Sequence, residues 1–164
     1  MKKYIFIILI AALLLLSACG AEKTPEKNLT CTISISCEEL LKPENYEKLA
    51  DEKKEFVPAD GWIIPPTEVR FADGETAFDV TQEIIRENKI HMEFEEAPAY
   101  NSVYVEGINQ LYEFDLGPTS GWMFSVDNNY PNYGCGTYKL KDGDTVKWTY
   151  TTDLGSDVGN TYEG

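Results

Sequence analysis

The sequence predicts an α+β domain in which a mixed sheet packs on one amphipathic helix. Three observations carry that prediction. Residues 121–127 and 145–151 alternate apolar and polar side chains, the period of a half-buried strand. Residues 77–88 switch to helical spacing, with Ala77, Val80, Thr81, Ile84, Ile85 and Asn88 on one stripe. The helical segment has strand candidates on both sides of it in the chain, so a sheet is at hand to cover its apolar stripe.

The elements follow in order. Residues 29–37 are rich in Thr and Ile and form a first strand. Residues 38–61 are charged, with a short helical turn at Glu38-Glu39-Leu40-Leu41 and a turn at Asp60-Gly61. Trp62-Ile63-Ile64 is extended, and Pro65-Pro66 makes it an edge or a bend, because proline donates no ladder hydrogen bond. Residues 67–71 resume the strand, and 72–75 turn. Thr76 and Asp79 then have the spacing of a capping box, which starts the helix at 77. Further strands are expected at 90–95, 102–106, 111–115, 121–127, 137–140 and 145–151, the last two joined as a hairpin by Lys141-Asp142-Gly143-Asp144. The order strand, strand, helix, strand, strand is that of a β-grasp arrangement. No Gly-rich loop opens the helix as a phosphate site would require.

The first eighteen residues stand apart from this pattern. Lys2 and Lys3 precede an apolar run over 4–16, and Leu16-Ser17-Ala18 leads into Cys19. A basic start, a short apolar run and small residues before the cut make a secretory signal. The run is shorter than the ~20 residues of a membrane span. With cysteine directly after Leu-Ser-Ala, the segment resembles a bacterial lipoprotein signal. That resemblance implies cleavage after residue 18 and a diacylglycerol thioether on Cys19. The expectation is a protein held at the cell membrane by that anchor, facing outward from the cytoplasm. Residues 19–28 have no apolar period and read as a flexible tether, leaving 29–164 as the folded domain.

Acidic residues outnumber basic ones, giving a net charge of −14, and loss of Lys2 and Lys3 with the signal would make it two units more negative. Such a chain lacks the clustered Lys and Arg that phosphate backbones need, so nucleic acid is not an expected partner. Three cysteines follow Cys19: Cys31, Cys37 and Cys135. Cys31 and Cys37 sit on the same face of one strand, roughly 20 Å apart at ~3.3 Å per residue. A disulfide needs Cα atoms within ~4.4–6.8 Å, so they do not bond each other. A bond from one of them to Cys135, or three buried thiols, are the readings left open.

Catalysis is not expected. His91 is the single histidine, and no nucleophile elbow accompanies it. Its other roles are metal ligand or plain structural residue, and the close cysteine pairs of a zinc site are missing. Acid pairs such as Glu93 with Glu95 and Glu96, Asp142 with Asp144, and Asp153 with Asp157 arise readily in so acidic a chain. The loop 153–159 combines Asp and Gly as calcium loops do, without the spacing of an EF-hand.

The candidate binding group is Trp122, Tyr130, Asn132 and Tyr133, in and beside the loop 128–134. Tyr and Trp offer broad apolar faces with a polar edge, as ligand and protein interfaces use. Phe124, Val126, Val146 and Trp148 belong instead to the core under the helix. The run Gly74 to Val80, the run Gly121-Trp122 through Pro131-Asn132-Tyr133-Gly134, and Tyr138 to Tyr150 together resemble the transcobalamin-like C-terminal domain family, over residues 31–158. The resemblance implies a β-grasp fold and, as ligand, cobalamin or another corrinoid. In the family's vitamin B12 carriers the domain caps a corrinoid held against a large helical barrel. The expected function is therefore a lipid-anchored binding domain that presents a small molecule to a membrane importer. The alternative is a cell-surface interaction or adhesion module with no small-molecule ligand.

Overall fold

The computed structural model describes residues 25–98 and 101–160. The signal segment 1–18, Cys19 and residues 20–24 of the tether lie outside the described residues. The last part of the tether is not free of the domain. Lys27 Nζ donates to both carboxylate oxygens of Glu83, on the helix described below.

The architecture is mixed α and β, dominated by two sheets. The strands are β1 (Leu29–Ser36), β2 (Trp62–Phe71), β3 (Met92–Ala97), β4 (Ser102–Ile108), β5 (Leu111–Tyr112), β6 (Gly121–Val126) and β7 (Thr145–Thr151). A four-stranded sheet runs β2-β1-β7-β6 and a three-stranded one β3-β4-β5. Among the described strands only the β1–β7 pair is parallel. The helices are α1 (Pro43–Tyr46), α2 (Asp51–Lys54) and α3 (Ala77–Glu87), with 3₁₀ turns at Glu38–Leu41 and Ser156–Val158.

The helix α3 begins where the sequence places it. Thr76 Oγ1 accepts from the Asp79 N–H at 3.2 Å while the Asp79 carboxylate accepts from the Thr76 N–H at 2.8 Å. The N–H groups of Ala77 and Phe78 donate to the carbonyls of Tyr138 and Cys135, and that of Val80 to the Thr76 carbonyl. The helix N-terminus is thus closed by the chain itself. Its buried stripe is Ala77, Phe78, Val80, Thr81, Ile84 and Ile85.

The core lies between α3 and one face of the four-stranded sheet. Ile33 and Ile35 of β1 and Val146 of β7 are completely buried there. Trp148 Nε1 donates to Thr81 Oγ1 at 2.8 Å, and Thr81 Oγ1 donates to the Ala77 carbonyl at 2.6 Å. Both polar groups of this sheet–helix contact are therefore satisfied, as burial demands. Phe78 of α3 meets Phe94 of β3 edge-to-face at 4.8 Å, tying the second sheet to the same core.

Four sequence expectations are altered. The strands divide between two sheets where one mixed sheet was expected. Residues 62–71 form one continuous strand, and the register against β1 slips between Ile33 and Ile35, where the exposed Pro65 and Pro66 sit. β2 is an edge strand, where missing proline N–H groups cost no ladder bond. The strand expected at 111–115 is only Leu111–Tyr112. A two-residue turn, Asn109-Gln110, joins it to β4 with both residues at positive φ (53° and 64°), the geometry that suits the twist of a hairpin. Beyond it Phe114 also has positive φ (66°) and the chain turns away.

The hairpin expected at 137–151 does not form. The turn at 141–144 exists, with Asp144 N–H donating to the Lys141 carbonyl at 3.1 Å. Its first arm pairs elsewhere: Leu140 N–H donates to the Glu75 carbonyl, and Lys139 bridges Thr76. Residues 135–140 strap the start of α3 to the domain, and β7 pairs with β1 and β6.

Candidate functional site

The strand β6 ends in a tight turn. Asp127 and Asn128 both have positive φ (51° and 63°), and Val126 and Asn129 exchange hydrogen bonds of 2.9 Å in both directions. The turn is fixed from β7: Thr145 N–H donates to Asp127 Oδ1 at 3.0 Å, and Lys147 Nζ to Asn128 Oδ1 at 2.7 Å. The chain then passes through Tyr130-Pro131-Asn132-Tyr133 and meets β4 at Gly134.

Gly134 fixes how close the loop comes. A Cβ at this position would stand 2.1 Å from Ser102 Oγ and 2.5 Å from Ser102 Cβ. Only glycine allows that approach. Ser102 Oγ in turn accepts from the Gly136 N–H at 3.1 Å, and Thr137 Oγ1 donates to the Asn101 carbonyl at 2.7 Å.

Between the loop, β4 and β6 lies a cleft of about 600 Å³. It opens on the sheet face that carries α3, at the β6 end. Trp122, Tyr130, Asn132 and Tyr133, the four residues singled out from sequence, all line it. Val103 and Val105 of β4 supply the facing wall, which sequence reading did not assign to the site. Their strand is legible; that it faces β6 across a gap follows from the division into two sheets and has no local signal.

Each aromatic residue has a distinct place. Trp122 is buried, with its Nε1 donating to the Leu111 carbonyl at 2.8 Å and its ring edge-to-face with Tyr150 at 5.3 Å. It is a wall, with no polar group left for a ligand. Tyr130 donates its hydroxyl to the Val158 carbonyl at 2.7 Å and is half-buried. Tyr133 stacks on Tyr138 at 5.7 Å and 13° and is 50 % exposed. Asn132 is exposed, and its side chain makes no hydrogen bond among the described residues. Phe124 continues the aromatic series inward, 6.4 Å from Tyr138 and 5.6 Å from Trp148.

None of the described residues lining the cleft is charged at neutral pH. Burial pushes the Cys135 thiol up to about 12. Burial also raises Tyr130, with the Asp157 carboxylate adding to it, and burial followed by the Glu113 hydrogen bond raises Tyr104. An uncharged aromatic cleft in a chain of net charge −14 suits a neutral, flat ligand.

Apart from Cys135, which lines the cleft, the other candidates lie away from it. Cys31, Cys37 and Cys135 are free thiols and buried, and burial pushes Cys31 and Cys37 to about 12 as well. His91 is exposed, with its ring 6.1 Å from that of Tyr112. Among the described residues no group of three or more His, Cys, Asp or Glu is placed to hold a metal ion. Glu93 accepts from the Tyr112 hydroxyl, and Glu113 from that of Tyr104. In the loop 153–159, Asp157 accepts from the Thr151 and Thr152 hydroxyls and the Thr152 N–H, and Asp153 from the Ser156 hydroxyl. Those carboxylates hold the loop closed over the end of β7.

Residues 74–152 match the family model of a domain of unknown function, DUF4430. The fold is similar to part of haptocorrin, known in complex with Cbi (cobinamide), at 14 % identity and a TM-score of 0.53. The similarity covers 84 % of this chain and 29 % of that one. The chain thus corresponds to less than a third of the length of haptocorrin. A second solved structure, from Ruminococcus gnavus ATCC 29149 and described as a candidate metal-binding protein, aligns at 13 % identity and a TM-score of 0.41. It covers 75 % of this chain and 96 % of the other. No curated protein matches the chain by sequence. The likeness to haptocorrin is one of fold, and the DUF4430 match spans the helix start through β7.

Proposed function

We propose that this protein is a lipid-anchored, extracytoplasmic binding domain that takes up a flat small molecule in the cleft between β4 and β6 and does no chemistry on it. The cleft carries the proposal: about 600 Å³, aromatic on the β6 and loop sides, aliphatic on the β4 side, and uncharged. A volume in that range fits a ligand pocket. The ligand class that best agrees with the haptocorrin-like fold is a corrinoid, bound for delivery to a membrane importer. Tyr133 and Asn132 sit at the exposed rim and make first contact, and Trp122 forms the floor. The lipoprotein signal and Cys19 anchor supply the location.

Equilibrium dialysis of the full chain against cobalamin and cobinamide tests the reading. Saturable uptake at micromolar ligand, weakened by Tyr133→Ala, supports it. No saturable uptake of either corrinoid contradicts it. An interaction module on the cell surface is the second reading, favoured by the half-exposed Tyr133. Recovery of a bound surface protein that is lost on combined Tyr130→Ala and Tyr133→Ala would support that instead.

A further inference from the structure

The four-stranded sheet has a second face, turned away from α3, and it is built of hydroxyls. Alternation along β1 puts Ile33 and Ile35 into the core and Ser34 and Ser36 on the opposite side. The registers align these residues across three strands. Ser34 pairs with Lys147 of β7, and Lys147 with Ser125 of β6. The next row joins Trp62 of β2, Ser36 of β1 and Thr149 of β7. A trough of about 320 Å³ lies over these rows. Glu38, Val158 and Gly159 also line it, as do Tyr130 and Trp148, which the trough shares with the cleft.

Two of the hydroxyls need explaining. Ser34 and Ser125 are 3 % and 4 % exposed. Among the described residues neither hydroxyl has a hydrogen-bond partner, although their neighbours do: Ser36 Oγ donates to Glu38 Oε2 at 3.1 Å, and Lys147 Nζ to Asn128 Oδ1 at 2.7 Å. Every side-chain nitrogen or oxygen sealed from solvent among the described residues does have a partner. The Ser34 and Ser125 oxygens therefore open onto the trough itself. Buried hydroxyls normally find partners, so these two are poised for groups that enter from outside.

We infer that this trough is a second binding site, on the other side of Tyr130 and Trp148 from the aromatic cleft, and that it takes a neutral polyhydroxylated ring, a single sugar unit. A serine or threonine hydroxyl both donates and accepts, which matches ligand groups that do the same, as alcohols do. Lys147 and Glu38 contribute one charge of each sign, both already hydrogen-bonded within the protein, so the trough favours no net charge. Trp62, half-buried at the rim, offers a flat apolar face to the C–H side of a ring. The site goes beyond the proposed function and stands whether or not the cleft binds a corrinoid.

The test is titration of the full chain with D-glucose, D-galactose and N-acetylglucosamine at millimolar concentrations, followed by amide chemical shifts. Saturable shifts for at least one sugar at residues 34–36, 125 and 147–149 are expected. The combined Ser34→Ala and Ser125→Ala variant should weaken that binding about tenfold or more. Its unfolding midpoint should stay at or above that of the wild type, because no protein hydrogen bond is lost. Trp62→Ala, on the surface, should also abolish binding, and Tyr133→Ala should leave it unchanged. The inference is overturned if none of the three sugars saturates, if the double serine variant binds as well as the wild type, or if the shifts fall on 102–105 and 131–135 instead.

Discussion

Replacing Gly134 with alanine probes the seam on which the cleft depends. The added Cβ would lie 2.1 Å from Ser102 Oγ and 2.5 Å from Ser102 Cβ, distances that force the loop or β4 to move. Overpacking of this kind costs about 1–3 kcal/mol. Displacing Ser102 Oγ also strains its bond from the Gly136 N–H, worth about 1 kcal/mol. The expected loss is therefore about 2–4 kcal/mol, with a drop in melting temperature of roughly 4 °C for each 1 kcal/mol in a domain of this size. Urea unfolding of the full chain reads it as a lower midpoint with an unchanged slope. Adding Ser102→Gly to Gly134→Ala removes both clashing atoms while giving up the Gly136 bond, so it should recover more than half of the loss. A Gly134→Ala variant as stable as the wild type, or a double variant less stable than Gly134→Ala, would refute the close seating of the loop on β4.

Four further predictions concern other parts of the fold. Thr76→Ala removes the acceptor for the Asp79 N–H and half of the capping box, and should cost about 1 kcal/mol in urea unfolding without changing uptake in the cleft. Cys31, Cys37 and Cys135 should resist a thiol reagent at pH 8 in the folded protein and all react once it is unfolded, because burial holds each near 12. Their raised values favour the protonated thiol in the folded state. That stability is fully present below the ordinary thiol value of 9.0 and is lost as pH rises toward about 12, so alkaline unfolding should be delayed by combined Cys→Ala replacement. At Asp157 burial disfavours the charge, but hydrogen bonds from Thr151 and Thr152 outweigh it and hold the carboxyl below its ordinary 3.8. Its contribution is present above 3.8 and is lost as pH falls through the lower folded value, so Asp157→Asn should flatten the acid limb of a stability–pH curve.

The parts of this fold that were legible in the sequence are those set by neighbours along the chain. Thr76 and Asp79 satisfy each other three residues apart, so the helix start could be read directly. Pro65-Pro66 marks an edge strand because the missing N–H groups are a local fact. What failed depended on partners far away in sequence. Asp142-Gly143 signals a turn, and the turn is there with Gly143 at φ 86°, but nothing nearby says that Tyr138 and Leu140 will bond Ala77 and Glu75 in place of β7. The split into two sheets has the same origin: Asn109-Gln110 closes β4 onto β5 through left-handed residues that are a weaker turn signal than Asn-Gly.

For the candidate site, Trp122, Tyr130, Asn132 and Tyr133 stood out because large aromatic and amide groups cluster in a Pro-containing loop. Val103 and Val105 did not, since aliphatic residues on a strand look the same whether they face a core or a cleft. The hydroxyl trough was half visible. The Thr-Ile-Ser-Ile-Ser alternation of β1 shows a polar face, but its burial under Trp62 and the 158–159 segment depends on the parallel register with β7.

Amide chemical-shift mapping of cobalamin or cobinamide on the full chain tests the central claim most directly. The cleft reading predicts saturable perturbations confined to residues 102–105, 122–124 and 130–135, and their loss at the same ligand concentrations in Tyr133→Ala. Saturable perturbations centred anywhere else on the domain, or none with either corrinoid, would contradict it.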